Sequence, residues 1–452
     1  MHNNNNKLLP MAVLLAGFSA TAIAAVPADE AAKLGNTLTP VGAEKAGNAE
    51  GTIPAWDGGM ADEFSGDRFV DPFAADAVEM TITAANMDQY KDKLTPGQMA
   101  MLSKYPDSYK MNIYPTRRTA AFPQHVYDLA TKNAEKATLV DGGNGIKDFE
   151  ETLPFPIPQT GLEAVWNHIT RFRGGSVERT LVQVPVHRNG DFTPVRFYER
   201  LVWPQYLKEG FSAKKDNNIL SYFTQKVEAP AQLTGNVLLI HETLNQVEKG
   251  RQAWVYNAGQ RRVRRAPQVA YDAPGTAADG LRTADNLDMY NGAPDRYEWT
   301  LIGKKELYIP YNSFKLSSRD TSYEEIIKPG HLNSDLLRYE LHRVWVVEAT
   351  LKEGERHIYA KRTLYIDEDT WQVSVVDHYD GRGELWRVAE AYELQFRDAK
   401  VPWIAAEALY DLQSGRYLVG SLTNEEKQGF KFGTVFSRKE FTTGAIRRAG
   451  TR

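Results

Sequence analysis

The sequence predicts a mainly β protein of the α+β class: a large curved antiparallel sheet, or an unclosed β-barrel wrapped round helices, with an extended N-terminal arm. Three observations predict it. From about residue 177 the apolar residues recur with a period of two, the spacing of a strand with distinct faces. Short turn sequences separate the runs: Asn189-Gly190, Asn257-Ala258-Gly259, Lys352-Glu353-Gly354, Asp367-Glu368-Asp369 and Asp380-Gly381-Arg382-Gly383. Aromatic residues make up 11% of the chain, with 22 Tyr, 18 Phe and 9 Trp, and they favour strands and large apolar faces.

The chain has 452 residues, 42% hydrophobic and 25% charged, with a net charge of −4. That length suits two or three domains, or one large β-rich domain with an elaborate N-terminal part. The balance excludes a disordered chain, and it carries no overall basic signature for nucleic acid. Cysteine is absent, which excludes disulfides, thiolate metal sites, a cysteine nucleophile and an acylated cysteine.

Residues 1–24 read as a secretory signal peptide. Lys7 supplies the positive charge, Leu8 to Phe18 is too short to span a bilayer, and Ala22-Ile23-Ala24 has the form cut by signal peptidase after Ala24. The alternative is a retained N-terminal anchor. No later segment reaches about 18 apolar residues. Export without cysteine suits a periplasmic protein, soluble or peripheral at the outer membrane.

Residues 25–75 form an extended arm, rich in glycine and with Pro40 and Pro54, anchored by Leu34, Ile53 and Trp56. Burial of Ile53 and Trp56 against the sheet is expected, because the arm has no core of its own. Residues 76–175 read as a helical and loop region packed on the sheet. Thr95-Pro96 opens one helix. Residues 153–160 contain three prolines and form an extended connector. Gly161 opens an amphipathic helix through Leu162, Val165, Trp166, Ile169 and Phe172, and Gly174-Gly175 ends it.

Residues 176–452 form the sheet domain. Strands are expected at 177–187, 192–202, 220–228, 236–246, 252–256, 261–265, 297–302, 341–350, 357–366, 371–379 and 384–396. Short connections make them antiparallel neighbours. Residues 266–296 and 310–340 are long insertions. Val401-Pro402-Trp403 is expected to open a short helix, and Phe441 to Arg452 to form a basic tail.

Catalytic motifs are missing: there is no nucleophile elbow, phosphate loop or dinucleotide fingerprint. Of nine histidines, His331, His342, His357 and His378 lie in the C-terminal half, and no two have chelating spacing. Asp377 and His378 are adjacent, but neighbours on a strand point to opposite faces; a solvated strand-face histidine is the expectation. No enzyme, metal or cofactor is expected.

Arg261, Arg262, Arg264 and Arg265 stand together in an acidic chain. They read either as the solvated edge of a hairpin or as a docking patch for an acidic partner or anionic headgroups. The broad aromatic strand faces suggest an apolar ligand cavity on the concave side, because few helices are available to fill it. Its expected lining is Trp254, Tyr256, Trp345, Val347, Trp371, Val373, Trp386 and Val388. Which face points inward depends on register.

Four segments together resemble a family. They are Leu38 to Asn48; Ile53-Pro54-Ala55-Trp56; Pro154-Phe155-Pro156 with Gly161 and Trp166-Asn167; and Arg251 to Tyr256 running into Arg261 to Pro267. They resemble a domain-of-unknown-function family of Gram-negative bacteria, described as outer-membrane lipoprotein-sorting-like and distantly similar to the LolA/LolB lipoprotein carriers. The resemblance spans nearly the whole mature chain. It implies an unclosed barrel with a cavity for acyl chains. It also implies partnership with an inner-membrane exporter of the resistance-nodulation-division type and an outer-membrane β-barrel. It brings no catalytic residues.

The function expected is a periplasmic carrier or adaptor binding a lipid or other hydrophobic molecule. The alternatives are a non-enzymatic docking protein of an envelope complex with a filled core, and a hydrolase or isomerase of an apolar substrate.

Overall fold

The computed structural model describes residues 26–266, 269 and 271–451, so the signal peptide expected at 1–24 lies outside the described residues. The first part of the chain runs α1 (Ala28–Ala31), β1 (Met80–Ile82), α2 (Pro96–Lys104), β2 (Met111–Ile113), α3 (Gln124–Ala134), β3 (Thr138–Val140), β4 (Gly145–Lys147) and α4 (Gly161–Thr170). Two of the three long helices, α2 and α4, begin where the sequence signals it; α3, which starts after Pro123 without a capping side chain, is not among the expected helices. Thr95 caps α2 in a capping box with Gln98, and Thr160 caps α4 in a capping box with Glu163.

Two antiparallel meanders follow. The first is β5 (Ser176–Val186), β6 (Val195–Val202), β7 (Ile219–Ala229), β8 (Val237–Thr243), β9 (Gln252–Asn257) and β10 (Arg262–Arg265), with the short helix α5 (Ala213–Asp216) before β7. The second is β11 (Tyr297–Pro310), β12 (Tyr339–Leu351), β13 (Lys361–Asp367), β14 (Val373–Tyr379), β15 (Leu385–Phe396), β16 (Val401–Asp411) and β17 (Tyr417–Leu422), with α6 (Tyr323–Ile326) between β11 and β12. Pairing of β17 with β5 fuses the meanders into one sheet. β18 (Phe430–Phe432) pairs with β5, and α7 (Thr443–Gly450) ends the chain. All these pairings are antiparallel except a single parallel contact, Tyr339 with Ile113. The sheet order starts at β1 and ends at β10, which do not pair with each other, so the barrel is unclosed.

Strands occupy all eleven expected positions, but three expectations change. Residues 401–403 open β16, not a helix: β16 is buried along its whole length, and Pro402 sits near its start, where a missing donor costs little. β11 continues to Pro310, well past residue 302, because it pairs with the whole of β12. The basic tail is largely helical: Thr442 caps α7, and Ile446 packs with Tyr222, Leu239 and Tyr256 on one face of the first meander.

The second meander is covered on both sides. On one face α4 sits in an apolar cluster with Val177 of β5, Val347 of β12, Leu364 of β13, Val373 of β14 and Ile404 of β16, so strands from both meanders surround it. On the other face Met101 and Leu102 of α2 pack with Leu341, Val388 and Tyr392. Gly97 makes that second contact possible: its N–H donates to Asp377 Oδ1 at 3.1 Å, and a Cβ there would come within 2.1 Å of the same oxygen.

The arm is docked. Ile53 is buried in the α2-side cluster. Trp56, expected to be buried, is only half-buried; its Nε1–H donates to the Ala120 carbonyl at 3.1 Å, so it rests on the helical region rather than on the sheet. Leu34 is likewise half-buried. Val41 enters the α4-side cluster, and its carbonyl accepts from Trp371 Nε1 at 2.9 Å. Gly42 has φ 96°, and a Cβ there would lie 1.8 Å from the Pro156 carbonyl oxygen, so only glycine lets the arm cross the proline connector.

His378 is buried, not solvated. The 266–296 insertion covers its face, with Asn286 Oδ1 3.1 Å from its Nε2, and burial pushes the imidazole well below its usual pKa. Among the described residues no helix is long and apolar enough to cross a membrane.

Candidate ligand cavity and groove

The concave side of the first meander is less completely covered. Leu201, Phe223 and Ile240 share its inner face, while Tyr222 and Leu239, their neighbours on the strands, turn outward beneath α7. The C-terminal end of α4 reaches this inner face through Ile169, and Trp403 closes the far side. A cavity of about 70 Å³ remains between them.

Its wall is apolar, with embedded charges. Arg171 and Arg173 follow α4 and clamp Asp288 of the first insertion: Arg171 Nη2 donates to Oδ1 at 2.6 Å and Arg173 Nε to Oδ2 at 2.9 Å. Burial opposes the Asp288 charge, but the two guanidiniums prevail and hold it below the usual carboxylate range. Arg179 Nε donates to Glu199 Oε2 at 2.7 Å while its guanidinium stacks 4.7 Å from the Trp403 ring centre. Arg282 donates to Glu407 Oε1 at 2.9 Å; burial nonetheless raises the Glu407 pKa. Arg179 Nη1 and Glu407 Oε2 are buried with no hydrogen-bond partner among the described residues. Both residues line the cavity.

Outside it lies an open groove of about 800 Å³. The segment 146–151 forms one bank, and the start of β7 with residues 244–248 forms the other. Trp203 and Leu220 line both groove and cavity, so they form the partition between them. Acids outnumber bases on the groove wall, with Asp141, Asp148, Glu150, Glu151, Asp216 and Glu248 against Lys147, although Lys132 pairs with Glu150 and Arg438 with Asp216. Another groove of about 520 Å³ lies between the arm and the 310–340 insertion, with Phe69, Phe73 and Phe314 on its wall; it shares no residue with the cavity.

None of the eight side chains expected to line a cavity reaches this one. Trp345, Val347, Trp371 and Val373 pack in the α4-side cluster, where α4 and the arm fill the space. Val388 lies across the sheet, against α2. Trp254 and Tyr256 face α7, on the opposite side of β9 from Ala253. Trp386 is half-buried at the start of β15, donating from Nε1 to Asp411 Oδ2 at 3.1 Å. Alternation groups residues by face; it does not say which face is filled. The residues that do line the cavity carried one available signal: Ser221 with Phe223 and Ile240 with Glu242 alternate against Tyr222 and His241.

Arg262 to Arg265 form β10, paired only to β9 at the sheet edge. Arg261, Arg262, Arg264 and Arg265 are exposed, and none makes an ion pair among the described residues. One set of side chains among the described residues has ligand atoms close enough to share a metal ion: His342, Asp367 and Asp369. It lies outside the groove and the cavity.

The chain resembles known proteins over most of its length. The model for DUF1329, "Protein of unknown function", matches residues 81–447. An uncharacterized protein, PA3922, of Pseudomonas aeruginosa is 59% identical over 450 residues, covering 98% of this chain and 99% of its own length. Among solved structures, a DUF1329 family protein from Desulfovibrio piger is 14% identical with a TM-score of 0.44, covering 63% of this chain and 97% of its own. A LolA superfamily protein, NE2245, from Nitrosomonas europaea is 13% identical with a TM-score of 0.37, covering 64% of this chain and 99% of its own.

Proposed function

The chain belongs to the DUF1329 family of proteins of unknown function, and on that premise we propose that it is a periplasmic carrier of a hydrophobic molecule. The observation that carries this reading is the shared wall: Trp203 and Leu220 line both an open groove and a cavity against the inner face of the sheet. The cavity, about 70 Å³, is well below the roughly 300–1,000 Å³ typical of ligand pockets. A guest therefore lies mainly in the groove, and its apolar end enters the cavity when the Trp203 side chain moves aside. An acyl chain of C16 length buried this way contributes on the order of 10 kcal/mol before association costs. The acidic groove favours a neutral or cationic polar end over a phosphate.

The finer parts of the reading are delivery between an inner-membrane exporter of the resistance-nodulation-division type and an outer-membrane β-barrel, with Arg261, Arg262, Arg264 and Arg265 as the docking patch. The filled core of the second meander supports the other reading, a docking protein that carries nothing. Native mass spectrometry of the exported protein separates the two, together with titration of a fluorescent fatty amine. A carrier retains a small apolar guest and binds the probe with quenching of tryptophan emission. Leu220→Arg abolishes that binding while the protein stays folded. A wild-type protein that is folded, free of guest and blind to the probe is a docking protein.

A further inference from the structure

At the end of β13 the chain turns through Asp367-Glu368-Asp369-Thr370, and this turn meets His342 of β12 in the interior. His342, Asp367 and Asp369 are all buried, and one ligand atom from each lies within 4.8 Å of the other two. We propose that this turn and His342 form a binding site for a divalent cation of borderline softness, Zn²⁺ or Mn²⁺.

Four features support the assignment. First, the imidazole is held in the orientation a ligand needs. Its Nε2–H donates to Glu340 Oε2 at 3.2 Å. Glu340 is itself fixed by Arg338 Nε at 2.6 Å, the Arg117 N–H at 2.7 Å and Asn312 Nδ2 at 2.9 Å. A carboxylate on one ring nitrogen leaves the other as a lone pair, which is how metal-bound histidines are usually oriented. The free nitrogen, Nδ1, lies 3.9 Å from Asp367 Oδ1, too far for a hydrogen bond and close enough for a shared ion.

Second, Asp367 Oδ1 has no hydrogen-bond partner among the described residues, although the side chain is fully buried. Its other oxygen is occupied by the Thr370 N–H at 3.0 Å and the Thr370 hydroxyl at 2.8 Å, so the unpartnered oxygen is held toward His342. Third, the Tyr311 hydroxyl is also buried without a partner, and its ring stacks on His342 with centroids 3.9 Å apart.

Fourth, two buried carboxyl groups have no lysine or arginine partner among the described residues. Arg118 grips Asp369 through Nε at 2.9 Å and Nη2 at 2.7 Å, and Arg338 takes Glu340. No lysine or arginine among the described residues forms an ion pair with Asp367 or with Glu393, which is 3.2 Å from the Thr370 hydroxyl. An ionised carboxylate is costly to bury without a partner, and a dication would pair with it. One imidazole with two carboxylates suits Zn²⁺ or Mn²⁺ better than Ca²⁺, which prefers six or more oxygens. Arg118 also donates to the Glu44 carbonyl at 2.8 Å, so the ion would brace the point where the arm joins the sheet. Because the site is closed, the ion must enter as the chain folds.

The test uses the mature chain, exported in cells grown with Zn²⁺ and Mn²⁺ and purified without chelator. Metal content should be near one equivalent. An anomalous difference map at the metal edge should place a peak between His342 Nδ1, Asp367 Oδ1 and Asp369. In Asp367→Asn and His342→Gln the content should fall by about tenfold or more. A folded wild-type protein without metal, or with its anomalous peak elsewhere, overturns the proposal. So does unchanged metal content in the two variants. The wild-type measurements decide the matter even if both variants fail to fold.

Discussion

The two meanders use the same alternation of apolar residues and end differently. In the second, β12 to β16 are covered on one face by α4 and the arm and on the other by α2 and the 311–338 segment, so nearly every position is buried. In the first, α7 covers the outer face of β7 to β9, but α4 reaches the inner face only through its last turn. What separates a filled core from a cavity here is the number of covering elements, not the apolarity of the strands. Where coverage is double, a charge introduced without a partner has nowhere to go. Where it is single, solvent and a guest have access.

Val347→Glu breaks the comparison most severely. Val347 is fully buried in the α4-side cluster, so the carboxylate is trapped without a partner. The expected outcome is an unfolded protein, read by circular dichroism. A folded, probe-binding variant would mean that the second meander holds the cavity after all. Trp371→Ala, which also removes the hydrogen bond to the arm, should cost about 3–5 kcal/mol in a urea titration. A loss below about 1 kcal/mol would contradict double coverage.

Asp377 gives the double-covered half a pH signature. It sits beneath α2, and burial pushes its pKa up to about 7 from the ordinary aspartate value of about 4. Between those values the native state keeps the proton while the unfolded chain has lost it. Stability therefore falls as pH rises from about 4 to about 7, and the loss, about 4 kcal/mol, persists above that. Asp377→Asn should remove this dependence, so its advantage over the wild type in denaturant midpoint should be larger at pH 8 than at pH 4.5. A difference that does not change with pH contradicts the burial.

Single coverage predicts smaller effects on stability. Trp203→Ala joins the groove to the cavity, so it should bind a longer fatty-amine probe more tightly than the wild type does. Equal affinity across probe lengths would show that the partition is not on the path. At the sheet edge, Arg262→Glu with Arg264→Glu should change stability by no more than about 0.5 kcal/mol, while any salt-sensitive association with an acidic partner is lost. Association unaffected by either salt or the substitutions returns these residues to a solvated edge.

The sequence by itself determined the strands from β5 to β15 and the starts of α2 and α4. Thr95 and Thr160 mark the helix starts, the turn sequences separate the strands, and period two finds β5 to β15, because capping and alternation act over a few neighbouring residues. β16 and β17 are not legible as strands because a strand buried on both faces loses its alternation, and Pro402 at the start of β16 suggests a helix. Which faces are filled was decided only in three dimensions. Trp371 and Val373 had the pattern of a cavity wall until Val41 and α4 packed against them, whereas Trp203, Leu220 and Arg179 acquired their role from the end of a helix many residues away. The same holds for His342 and the Asp367-Glu368-Asp369 turn. No spacing in the chain relates them, and only the pairing of β12 with β13 brings them together. Contacts between distant segments depend on strand order and on what covers each face, and local patterns record neither.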